Sequence, residues 1–481
     1  MAEIALVNPN LTKPAISPLG LEYLTEACRQ QNVEVEMVDL CFEDDPIVAL
    51  QEHLADIGPK LVGISVRNTD NCYLLSAHSF IPHLAEVVSA VRDTTSAPIV
   101  LGGAGFSVAP AAIMKATGVE YGVQGDGEQA LPQLLQALYG KAQVEDIPGV
   151  LWRADGGIRT NVPAWPSLAD QPGLRRDTVD NPLYFQRGGQ LGLETKRGCN
   201  RRCIYCADPF SKGHKLRTRP PAAVADEIEN LLNQGCDVYH ICDSEFNIPE
   251  QHAHAVCEEL IRRRLGKRIR WYAYLAPAPF SRELAELMRR AGCQGIDFGA
   301  DSGNDQMLRQ LGRDFSTDQI RQAVEWCREY DMAVMLDLLI GGPGETQHSA
   351  RESVAMAKAA QPSCVGISLG VRIYPGTKLA ADIAAQGPMA GNPALWGETE
   401  DNEQLLAPVF YLSPQLGSPQ EAASFLKETI GGDHRFFFGG SGDEADYDYD
   451  DSQVLVAAIA AGARGAYWDI LRRLATSEGT R

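Results

Sequence analysis

The sequence has no apolar run approaching the roughly 18 residues that make a candidate bilayer span. Its start, MAEIALVNPN, lacks a basic segment leading into a long apolar one. Neither a membrane span nor a secretory leader is therefore expected, and the cytoplasm is the expected compartment. Positive charge is also scarce: 43 Lys and Arg stand against 63 Asp and Glu, a formal net charge of −20. A field of that sign repels phosphate backbones, so nucleic acid is not expected as a partner. Part of the excess lies in GDEADYDYDDS, Gly442 to Ser452, which reads as a solvated loop with a cation site as the alternative. A disulfide framework is missing too, because twelve cysteines without a leader do not suggest oxidation. Nine of them (Cys28, Cys41, Cys72, Cys236, Cys242, Cys257, Cys293, Cys327 and Cys364) stand alone and read as small buried hydrophobes.

A chain of 481 residues exceeds one ordinary core and implies two or three domains. Residues 1–140 alternate apolar runs with amphipathic stretches: EIALVNPN, GLEYLTEACRQQ, VEVEMVDL, KLVGISVRN, SFIPHLAEVVSAVRDT, APIVLGGAG and YGVQGDGE. Such βα alternation predicts a doubly wound sheet with ligand loops at the carboxyl ends of its strands. Those ends carry Arg67-Asn68-Thr69-Asp70-Asn71, Gly102-Gly103-Ala104-Gly105-Phe106 and Gly125-Asp126-Gly127-Glu128. Glycine there lets backbone approach a large ligand. Residues 141–188 show no sustained period and read as a linker with a small hairpin around Val150 to Arg159.

A second βα series starts near residue 189 and runs to about 395, with strands GLETKRG, VYHICDSEF, IRWYAYLAP, GIDFGADSG, AVMLDLLIGGPG and VGISLGVRIYPG. Six strands with crossovers predict a partial barrel. Residues 396–481 read as a mainly helical cap ending in one helix, SQVLVAAIAAGARGAYWDILRRLA.

Three cysteines break the pattern. KRGCNRRCIYCADP places Cys199, Cys203 and Cys206 within eight residues, just after the first barrel strand. A closed structural zinc site needs a fourth ligand, and no matching Cys or His pair follows. Three thiolates suit a 4Fe–4S cluster with one iron left open.

This Cx3CxΦC pattern, with Tyr205 before the last cysteine, resembles that of the radical S-adenosylmethionine (SAM) superfamily. The resemblance implies that the open iron binds SAM. It implies SAM contacts at Asp243-Ser244-Glu245 after the second strand, Asp301-Ser302 after the fourth, and the GxPGET-like Gly341-Gly342-Pro343-Gly344-Glu345 after the fifth. The sequence has Asp-Ser-Glu where the family often has Gly-Gly-Glu. Arg372, in VRIYPGT, resembles the RxYPGT element of the cobalamin-dependent branch.

The front domain fits the same branch: PLGLEYL, SVRNTDN, LGGAGFS and GDGE resemble its recurring segments. It would be a Rossmann-like cobalamin-binding domain, with contacts from Arg67, Asn68, Asp70, Asn71, Gly102, Gly103, Gly105, Phe106, Gly125, Gly127 and Glu128. The DxHxxG element that places a histidine beneath cobalt is absent. Arg67 is the candidate for that lower face, the alternative being a salt bridge to Asp70.

The implied activity is transfer of a methyl group from SAM, by way of cobalamin, to a poorly nucleophilic carbon of a small-molecule substrate. Arg67, Glu245 and Arg372 are the candidate catalytic residues, and a flavodoxin- or ferredoxin-type protein the implied external electron donor. The RN-D-N loop, PVFYLSP and RGAYWDIL resemble segments of the tryptophan 2-C-methyltransferases, in which methyl transfer can be polar, without the deoxyadenosyl radical; polar and radical transfer both stay open. Glu245 either binds the methionyl ammonium or caps the open iron. A cobalamin enzyme that oxidises, cyclises or rearranges its substrate without methylating it is the alternative. Tyr272, Tyr274, Tyr374 and Tyr411 are candidate substrate contacts.

Overall fold

The computed structural model describes residues 2–169, 174–440 and 451–478. The front sheet has strands β1 (Ile4–Asn8), β2 (Val35–Asp39), β3 (Leu61–Ser65), β4 (Ile99–Gly102) and β5 (Tyr121–Val123), followed by the hairpin β6 (Val150–Ala154) and β7 (Gly157–Thr160). Their order is β2-β1-β3-β4-β5-β6-β7. The first five are parallel, and the hairpin adds to β5 antiparallel. The chain reverses its direction of winding between β1 and β3, which opens a crevice at the carboxyl edge. Continuous apolar strands such as LVGIS are buried on both faces by helices, as a parallel sheet requires.

The second sheet takes β8 (Leu191–Leu193), then, after the short ribbon β9 (Lys196–Arg197) and β10 (Arg217–Thr218), β11 (Val238–Ile241), β12 (Arg270–Leu275), β13 (Cys293–Asp301), β14 (Ala333–Ile340) and β15 (Cys364–Leu369). A small antiparallel sheet follows, from β16 (Val371–Arg372), β17 (Leu395–Gly397) and β18 (Val409–Tyr411). The six expected strands are all parallel, and a seventh joins them: β19 (Phe436–Phe438) pairs with β15 from within the cap. One face of the strands packs outward on helices, as at Ile296, Phe298, Val334 and Leu336. Alternate residues point into the lumen.

The terminal segment departs from expectation. It forms two helices, Gln453–Ala460 and Tyr467–Glu478, separated by a turn. Gly462 and Gly465 sit at φ +101° and +136°, and a Cβ on Gly465 would lie 2.8 Å from the Tyr272 hydroxyl. Glycine is required there, and it breaks the run. The second helix puts Tyr467 and Trp468 against Tyr272, Met335 and Cys364, closing the barrel floor. Most of the acidic stretch 442–452 lies outside the described residues. No helix among the described residues is long and apolar enough to cross a membrane.

Buried ion networks join the lobes. Arg176, from the connecting segment, donates to Glu22 of the front helix Leu19–Gln30 and to Glu227 of the barrel helix Pro221–Asn233, both at 2.7 Å. All three side chains are at most 1% exposed. On the other side Arg372 of β16 reaches Asp70 after β3, with Nη2 at 2.9 Å and Nε at 3.0 Å.

Candidate active site

The cluster loop leaves β9 through Gly198, whose φ is +94° and whose Cβ would collide with the Lys215 carbonyl at 2.1 Å. Cys199 donates its backbone N–H to the Gly213 carbonyl, and Ile204 donates to Leu311. The loop is thus fixed at both ends. All three cysteines are unpaired and half-buried. Burial pushes their thiols upward, and the neighbouring thiols add to this at Cys199 and Cys206. Among the described residues no three His, Cys, Asp or Glu side chains close on a single ion. A cubane takes its thiolates on three different irons, whereas a closed zinc site needs a fourth ligand on the same ion.

Around the loop stands a ring of paired charges. Arg313 donates to the Cys203 sulfur at 2.8 Å and lies 3.4 Å from Asp301 and 3.6 Å from Glu245. Tyr205 donates to Asp301 at 2.5 Å, and Arg201 donates to Glu245 at 2.9 Å. Asp301 and Glu245 therefore converge on the cysteines, while their neighbours turn elsewhere. Asp243 accepts from the Thr195 N–H and hydroxyl and from the Lys196 N–H, so its carboxylate braces the strand before the loop. Ser244 donates to Asp208 at 2.6 Å, and Ser302 bonds Ser353 at 3.0 Å.

Gly341 and Gly344 adopt φ +110° and +82° in the loop through Pro343. Glu345 at its end is fully buried with Oε2 unpartnered, and burial raises its carboxyl to about 7. The folded protein holds that proton to higher pH than the unfolded chain, so stability should fall as pH rises from about 5 to 8. The loss is at most roughly 3 kcal/mol, and thermal melts of Glu345→Gln should not show it.

A cavity of about 480 Å³ separates the lobes. Arg67 through Asn71 and Gly105 line it from the front sheet, and Gly192, His240, Cys242, Tyr274 and Tyr374 line it from the barrel. Tyr467 and Trp468 close its base. A second, largely apolar cavity of about 210 Å³ runs under the front sheet's carboxyl edge, past Gly63, Gly102, Gly103, Gly125 and Gly127.

The expected alternative for Arg67 is corrected here: Asp70 is taken by Arg372, and Arg67 has no acidic partner among the described residues. Phe106 is fully buried beneath β5 and does not reach the cavity. Glu128 is committed to Arg197 at 2.7 Å, tying the GDGE loop to the cluster ribbon β9–β10. Of the four tyrosines, Tyr274 and Tyr374 face the cavity, Tyr272 donates to Asp469 in the floor, and Tyr411 packs in the small sheet.

Residues 193–357 match the radical SAM superfamily and residues 12–135 the B12 binding domain. The tryptophan 2-C-methyltransferase of Streptomyces laurentii is 32% identical over 446 residues, covering 80% of this chain and 74% of that one. The solved radical SAM methyltransferase TsrM of Kitasatospora setae, with tryptophan and a SAM analogue bound, is 32% identical. It superposes with TM-score 0.92 over 99% of both chains. A second structure of that enzyme, with cobalamin and a [4Fe-4S] cluster bound, gives TM-score 0.90 at 31% identity over the full length of both. The chain belongs to the cobalamin-dependent radical SAM methyltransferases.

The cavity walls fit that family's cofactor. Ser17, Gln190 and Trp468 line the inter-lobe space, and each carries a buried polar atom, Oγ, Oε1 and Nε1 respectively, without a hydrogen-bond partner. Orphaned donors and acceptors are costly unless a ligand satisfies them. A corrin ring edged with carboxamides supplies both kinds of partner. Sequence reasoning missed all three, since nothing in their local spacing marks them.

Proposed function

We propose that this chain methylates carbon 2 of the tryptophan indole ring, using SAM as the methyl source. The observation that carries this reading is the inter-lobe cavity, walled by tyrosines and closed by Tyr467 and Trp468, in a chain that matches the tryptophan-bound relative over its whole length. When bound, cobalamin would supply a carrier for the methyl group between SAM and carbon, and the cluster an iron without a protein thiolate.

The chain's own residues hold and orient these groups. Cys199, Cys203 and Cys206 supply three thiolates, and Arg313 donates a charge-assisted hydrogen bond to one of their sulfurs. Glu245, Asp301, Ser302 and the Gly341–Glu345 loop surround the place for SAM. Arg372 fixes Asp70 and with it the loop that carries Arg67. Arg67, on the cavity wall, would lie beside a bound cobalamin and keep water from its metal, which would favour reduction. An external flavodoxin- or ferredoxin-type donor supplies electrons.

Anaerobically reconstituted protein, given methyl-labelled SAM and tryptophan, should yield labelled tryptophan heavier by one methylene unit. Tryptophan returned unlabelled would refute the reading. In Arg67→Lys the visible spectrum of bound cobalamin should shift toward a water-ligated form and turnover should drop. An unchanged spectrum with unchanged turnover would remove Arg67 from the lower face.

A further inference from the structure

The corrin site and the cysteine loop belong to different lobes, so their spacing is set by whatever joins the lobes. Arg176 and Arg372 bond elements away from that loop. A further buried ion group bonds the loop's own stem. Arg197, two residues before Cys199, lies 2.7 Å from Glu128 and 3.3 Å from Asp126, both in the GDGE loop after β5. Its Nε donates to Glu194 at 2.8 Å. Arg217 pairs with Arg197 across the β9–β10 ribbon and forks both terminal nitrogens onto Asp126. It also donates to the Lys212 carbonyl at 2.8 Å and the Pro166 carbonyl at 3.1 Å. The side chains of Asp126, Arg197 and Arg217 are all at most 9% exposed.

One side chain of the connecting segment is wedged beside this group. The Trp165 ring lies 5.4 Å from the Arg217 guanidinium. A Cβ on Gly125 would stand 2.9 Å from that ring, and one on Gly213 would stand 2.7 Å from it. Gly213 is the residue whose carbonyl accepts the Cys199 N–H. On the other side Gly125 donates its N–H to Ser107 Oγ at 3.0 Å, in the short helix after β4 that carries Gly105 into the wall of the inter-lobe cavity. An unbroken run of contacts therefore leads from the corrin cavity through Ser107, Gly125, Trp165 and Gly213 to the first cluster cysteine. The Asp126 fork runs parallel to it.

Deepening the methylation reading above and resting on it, we propose that Asp126 and Trp165 are positioning residues, which hold the cysteine loop in register with the front sheet. Neither lines the inter-lobe cavity, so both act through the elements they grip. Transfer between groups held on two lobes needs close placement, and a shift of about 1 Å can cost roughly 10²-fold in rate. A bidentate arginine–carboxylate pair fixes direction as well as distance, which a single ion contact does not.

The test compares full-length wild type with Asp126→Asn, Trp165→Leu and Arg217→Lys. In reconstituted protein holding Co(II) cobalamin and a reduced cluster, both centres are paramagnetic, and pulsed electron paramagnetic resonance reads the distance between them. Wild type should give one narrow distance distribution, and the variants, with both cofactors bound in full, a broader one. Their kcat should fall about 10- to 100-fold, while KM for SAM and tryptophan stays near wild type. In cofactor-free protein, backbone hydrogen exchange over residues 196–206 should quicken by about tenfold or more, with the barrel strands unchanged. Folded variants with the wild-type distance distribution and wild-type exchange at the cysteine loop would overturn the proposal. Exchange that quickens equally throughout the barrel would overturn it too, because that marks general destabilisation. If Asp126→Asn does not fold, Trp165→Leu, which leaves every charge in place, decides by the same readings. If wild type methylates no tryptophan, the substrate reading fails by itself, and the distance and exchange measurements judge the positioning role without it.

Discussion

Replacing Cys203 with alanine should give a folded protein that takes up no 4Fe–4S cluster and makes no methylated product. The fold does not depend on that thiol: the loop is fixed by backbone bonds at Cys199 and Ile204 and by the strain-free glycine at 198. The cluster does depend on it, because two thiolates cannot hold a cubane that already leaves one iron without a protein ligand. Arg313 would also lose the sulfur it donates to, while keeping the Gly299 carbonyl and its place beside Asp301. Thermal melting of the apo protein should therefore stay near that of wild type, while iron and sulfide per chain fall to background after reconstitution. Cobalamin uptake, which rests on the front domain and the cavity wall, should persist. Loss of both cofactors together would mean that the two sites are not separately built.

The second large effect concerns the joint between the lobes. Arg176→Met should lower stability by roughly 3–5 kcal/mol, the usual cost of removing one partner from a buried ion group. The melting midpoint should then drop on the order of 10 °C. Without the guanidinium, Glu22 and Glu227 face each other across the interface, both buried and both acidic. Burial and mutual repulsion already push the Glu22 carboxyl upward with Arg176 present. Adding Glu22→Gln to Arg176→Met should recover much of the loss, because Glu22 is the carboxylate left without a cation while Glu227 keeps Arg219 at 2.8 Å. A double variant no more stable than the single one would place the cost in packing instead.

The cluster loop and the barrel strands were legible in the sequence because their signals are local: three cysteines at fixed spacing, and apolar runs ending in polar loops. The front sheet was legible for the same reason. β19 was not, because Phe436–Phe438 is three residues long and becomes a strand only through pairing with β15 across the molecule. Arg176 and the Asp70–Arg372 pair were equally hidden, since partners 302 residues apart leave no periodic trace. The broken terminal helix was readable in principle from GARG, whose two flanking glycines stand where the helix stops.

The central claim is spatial: one chain holds a corrin between its lobes and an iron–sulfur cube on the loop that faces it. Anomalous scattering from crystals of reconstituted protein, collected at the iron and cobalt absorption edges, measures this directly. The expected result is iron density at Cys199, Cys203 and Cys206 and a single cobalt peak in the inter-lobe cavity beside Arg67. Cobalt found elsewhere on the chain, or no cobalt peak in crystals that hold iron at the cysteines, would contradict it.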